Sequence, residues 1–170
     1  MNLDTLVSVG RPPWEPVAAA QDVDVWDKYD FPLHGTYRLG DEVVVFTLVT
    51  IVGSRSLWAY VSVPPERREA VAEPRFDTKA EFDAFLANCF AGREAVFAAA
   101  ENFVITSKSD GILIPPGRHG LLAAGARWYA LRAATLAGER AQQVAEQTAD
   151  DADPDSLLQA AHSALADLPA

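Results

Sequence analysis

Eleven consecutive residues, Glu42-Val43-Val44-Val45-Phe46-Thr47-Leu48-Val49-Thr50-Ile51-Val52, constrain the fold of this chain more than any other stretch. β-Branched side chains dominate the run, and both alternating sides of it are apolar, so it reads as a central strand covered on both faces. Gly40-Asp41 just before it is a two-residue hairpin signal that brings in Gly35-Thr36-Tyr37-Arg38-Leu39 as a neighbouring strand. Gly53-Ser54-Arg55-Ser56 turns the chain again into Leu57–Val63, and Pro64-Pro65 ends that strand by removing two ladder donors. Connections this short make the three strands an antiparallel meander.

The period changes at Thr78. Thr78-Lys79-Ala80-Glu81 fits a capping box, and Phe82, Phe85, Leu86, Cys89 and Phe90 follow as one stripe at helical spacing. After a break or bend at Gly92, the spacing of Val96, Phe97, Ala100 and Phe103 predicts that the stripe continues. Residues 103–106 and 112–114 flank Ser107-Lys108-Ser109-Asp110-Gly111 and read as a second hairpin. Pro115-Pro116-Gly117 punctuates it, and a long helix is expected from about His119 to Thr148. Leu122, Ala126, Tyr129, Ala133 and Leu136 form the buried face of that helix. Asp153 with Pro154 behind it starts a last helix carrying Leu157, Leu158, Ala161, Leu165 and Leu168. The expected class is α+β: a three-stranded antiparallel meander plus a second hairpin, packed against about four helices. At 170 residues and 18.4 kDa this is one domain, residues 1–170.

Charge divides that domain. The formal net charge is −10, yet residues 31–138 carry 11 acids and 11 bases. The excess is terminal, six acids against two bases in residues 1–30 and seven against one in residues 139–170. An acidic, proline-containing N-terminal arm (1–30), a sheet-and-helix core (31–138) and an acidic helical segment (139–170) are therefore expected. Arg11-Pro12-Pro13-Trp14-Glu15-Pro16 reads as an extended strap anchored on the core by Trp14. Such a charge balance disfavours nucleic acid and anionic lipid as partners. The first residues have no basic leader, and no apolar run approaches the roughly 20 residues of a membrane span, so a cytosolic protein is expected.

Little in the sequence resembles a catalytic constellation. The three histidines, His34, His119 and His162, show no metal-binding spacing, and Cys89 is a single thiol on an aromatic stripe, so neither metal nor cofactor is expected. Gly-x-Ser-x-Gly is absent. The nearest approach to a phosphate loop is Ile114-Pro115-Pro116-Gly117-Arg118-His119-Gly120, ahead of the long helix. Helix N-termini attract anions, Arg118 could add a planar clamp and His119 a titrating donor, so Gly117, Arg118, His119 and Gly120 are the ligand-binding candidates. A plain turn is the simpler reading, because two prolines remove donors there. Trp14 and Trp128 are candidate anchors for a partner, and Asp150, Asp151 and Asp153 a candidate acidic contact. The leading expectation is a non-enzymatic acidic binding protein of adaptor, chaperone or inhibitor type whose partner is another protein, possibly a basic one; a homo-oligomer is compatible. The alternative is a small-ligand-binding or enzymatic domain with its pocket near Gly117–Gly120. An enclosed polar pocket near His34, Arg118 and His119 would favour the second, a solid core with an exposed apolar patch the first.

Overall fold

A computed structural model describes residues 3–72 and 74–137, together with residue 159. Its centre is one antiparallel sheet in the order β1-β2-β3-β4-β5-β6. The strands are β1 (Gln21–Lys28), β2 (Pro32–Leu39), β3 (Glu42–Val52), β4 (Arg55–Val63), β5 (Glu94–Glu101) and β6 (Val104–Lys108). A two-residue β7 (Ile112–Leu113) pairs with the start of β5. Among the described residues three helices accompany the sheet: α1 (Arg68–Ala72), α2 (Lys79–Phe90) and α3 (Gly120–Ala137). The class is α+β, as the segregated patterns imply.

Central β3 is covered on both sides, which its two apolar faces require. On one side Val45, Leu57, Ala59, Val61 and Phe97 pack with Leu86, Cys89 and Phe90 of α2 and Tyr129, Ala130 and Ala133 of α3. On the other, Tyr37, Val44, Phe46, Trp58, Tyr60 and Val96 pack with Leu6, Val7 and Val17. Residues 3–20 thus form a strap that does for the second face what helices do for the first. Buried tyrosines hold it: the Tyr37 hydroxyl donates to the Leu6 carbonyl at 2.7 Å and that of Tyr60 to the Pro13 carbonyl at 2.8 Å. The strap also pairs with β6, Gly10 N–H donating to Ile105 O at 2.8 Å and Ile105 N–H to Arg11 O at 2.9 Å. Edge groups that would otherwise invite a foreign strand are consumed in this way.

Three expectations need correction. Residues 94–101 are a strand, not a continuation of the α2 stripe. Six consecutive buried residues, Ala95 to Ala100, alternate between the two cores, and Ala98 lies opposite Trp58, where a small side chain admits the large ring. Their high alanine content imitates helix propensity, but burial on both faces decides the outcome. The second hairpin is also differently placed. Its strands are β5 and β6 around Asn102-Phe103, whose φ values of 49° and 62° suit a two-residue hairpin turn. Ser107–Gly111 runs on along the edge of β5, with Ser109 N–H donating to Phe97 O at 2.8 Å. Finally, the expected arm contains β1, so the sheet is six strands wide instead of a three-stranded meander with a separate hairpin. The helical residues expected beyond 137 lie outside the described residues, apart from residue 159, and so does the side chain of Leu136. Ala126, Tyr129 and Ala133 are buried as expected, whereas Leu122 faces a groove.

Candidate functional site

Helix α2 starts where its capping box dictates. Thr78 Oγ1 accepts from Glu81 N–H at 3.2 Å, and Glu81 Oε2 accepts from Thr78 N–H at 3.0 Å. Fixing that first turn fixes which side chains share a face: Lys79, Phe82, Asp83 and Leu86, spaced three or four apart, turn toward the outer half of the sheet. Lys79 Nζ reaches the Asp83 carboxylate at 2.7 Å along the helix.

Opposite this face, hairpin register assembles a polar row. Asp27 of β1 pairs with His34 of β2, which pairs with Thr47 of β3. His34 Nδ1 lies 2.6 Å from Thr47 Oγ1, and the imidazole stands edge-on to the Phe82 ring at 4.7 Å between centroids. Burial lowers the His34 pKa to about 4, against the opposing pull of Asp27 and Asp83, so the ring is neutral near pH 7. One step along β3 the register slips between Leu48 and Thr50, a bulge of the kind that re-aims side chains beside binding sites.

Between α2, these strands and the first turn of α3 lies a half-open groove of about 720 Å³. Val49, Phe82, Leu86, Leu121 and Leu122 give it an apolar lining, while Asp27, His34, Lys79, Asp83, Arg118 and His119 supply its polar groups. The structure brings Arg118 and His119 together with His34, in a groove that is half open and not enclosed. Gly117 joins Arg118 in a smaller depression of about 330 Å³ on the other flank of α2. Gly120 lines neither; a Cβ there would strike the Pro115 carbonyl, so this glycine serves the tight entry into α3. Arg118 has no hydrogen bond or ion pair among the described residues, and neither does Asp27.

The other candidates fall elsewhere. Trp14 stacks on Phe31 at 5.8 Å and meets Trp58 edge-on at 6.2 Å, acting as the anchor of the strap. Trp128 stacks on Phe97 at 6.1 Å. Asp150, Asp151 and Asp153 lie outside the described residues. Cys89 is buried, and burial pushes its thiol up to about 11 despite Arg93 and Arg67, which leaves it protonated and unsuited to attack. Thr47 is 1% exposed, so its hydroxyl orients His34 and cannot meet a substrate. Among the described residues no group of three acidic, histidine or cysteine side chains is arranged to hold a metal, and no helix is long and apolar enough to cross a membrane.

Asp27, Thr47, Phe82 and Asp83 escape the reading of the sequence because strand register and a helix face bring them together across more than fifty residues. The Val23–Val25 alternation between acids was the available signal for β1, and through it for Asp27. No family model, curated protein or solved structure matches this chain.

Proposed function

We propose that this chain is a non-enzymatic binding module and that the groove between α2, the start of α3 and β1–β3 holds what it binds. The groove carries this reading. Its volume lies within the roughly 300–1,000 Å³ of ligand sites, and it joins an apolar wall to convergent polar groups, as such sites do. Chemistry on a bound molecule finds little support, since the thiol is buried and protonated and the threonine hydroxyl is covered. The lining elements rest on the core through Leu86 and Phe90 of α2 and Tyr129 of α3, so the site is presented by packed scaffold.

The uncharged, solvatochromic dye Nile red tests this reading. Its emission is expected to rise and saturate with the native chain, and Val49→Trp, which fills the groove, should abolish the rise. Ala80→Trp, on the other flank of α2, should leave it intact. Undiminished dye binding by a folded Val49→Trp chain contradicts the assignment.

A further inference from the structure

The two ends of the groove differ in charge, and we infer that its occupant is a segment of another protein bearing a single basic side chain between apolar ones. The inference rests on the groove being the binding site. At the end near the start of α2, the Asp27 and Asp83 carboxylates flank a neutral His34. Lys79 answers only Asp83, from a side chain 84% exposed, and leaves Asp27 without a cationic partner among the described residues. A groove whose apolar wall ends at an exposed carboxylate without an ion-pair partner among the described residues is complementary to a lysine or arginine whose stem lies along Phe82 while its charge reaches Asp27.

Leu86, Val49, Leu121 and Leu122 continue the apolar surface beyond that point. An alkylammonium ion alone would leave most of 720 Å³ unfilled, whereas residues flanking the basic one cover this surface. Across the groove, just ahead of α3, stands Arg118, which also lines the depression on the other flank of α2. It repels a second basic side chain and limits the segment to one. Net charge −10 on the whole chain attracts a basic segment at long range.

Calorimetric titration of the full chain with short blocked peptides tests this, leucines flanking a central lysine, norleucine or glutamate. The lysine peptide is expected to bind about threefold more tightly than the norleucine peptide, the return on one solvent-exposed charge pair. The glutamate peptide should bind more weakly than either. Asp27→Asn should bring the lysine peptide down to the affinity of the norleucine one. Equal affinity for lysine and norleucine peptides overturns the inference and leaves the groove reading standing. Preference for glutamate, lost in Arg118→Ala, also overturns it. Hexylamine binding as tightly as the lysine peptide makes the occupant a small amine and overturns the assignment to a protein segment. Failure of every peptide and of hexylamine to bind counts against the groove itself.

Discussion

Trp58→Ala is expected to remove about 4 kcal/mol of unfolding free energy, the usual cost of emptying a buried aromatic site. That is a large share of the about 5–15 kcal/mol that keeps a domain folded. Trp58 is fully buried, its Nε1–H donates to Ser56 Oγ at 2.8 Å, and its ring meets Trp14, Phe31 and Phe46. The cavity would open under the strap, whose other fastenings include the carbonyl bonds to Tyr37 and Tyr60. Urea unfolding followed by far-ultraviolet circular dichroism should show the loss. Amide exchange at Gly10 and Ile105 should accelerate, because those bonds join the strap to β6. A loss below about 1 kcal/mol would mean that the strap face is not a packed core.

Acid should weaken the fold through His34. Its native pKa of about 4 lies below the ordinary 6.5, so between those values the unfolded chain binds more protons than the folded one. Stability is therefore complete above about pH 6.5 and falls as pH drops toward 4. Allowing for the solvent in the groove, the loss from neutral pH to about pH 4.5 is about 2 kcal/mol. Carboxylates titrate in the same range, so the measurement compares the native chain with His34→Gln in urea at both pH values. The native chain should lose about 2 kcal/mol more than the variant. Equal losses would show that His34 is not held neutral by its surroundings.

Sequence patterns disclosed the fold unevenly, for physical reasons. Residues 42–52 were legible as a strand because a two-sided apolar run with β-branched side chains has few other uses. The capping box at Thr78 and the strap anchored by Trp14 were legible because each depends on local chemistry. Strand β5 was hidden by its alanines, small because Trp58 and the ring of Phe97 already fill the space around them. Bulged pairing conceals β1: its register slips three times against β2, which blurs the alternation that marks a strand. At the site, Arg118 and His119 stood out because proline and glycine announce a helix start. The Asp27–His34–Thr47 row did not, since it exists only once two hairpins set the register.

Amide NMR of the full chain titrated with the lysine-centred peptide tests the central claim most directly. Saturable shifts at Thr47–Val49, Phe82–Ala87 and Arg118–Leu122 are the predicted result, with the strap and the start of β1 unmoved. Shifts confined to residues 3–20 or to Gln21–Val25, or none at all, would contradict the groove as the place where this protein binds.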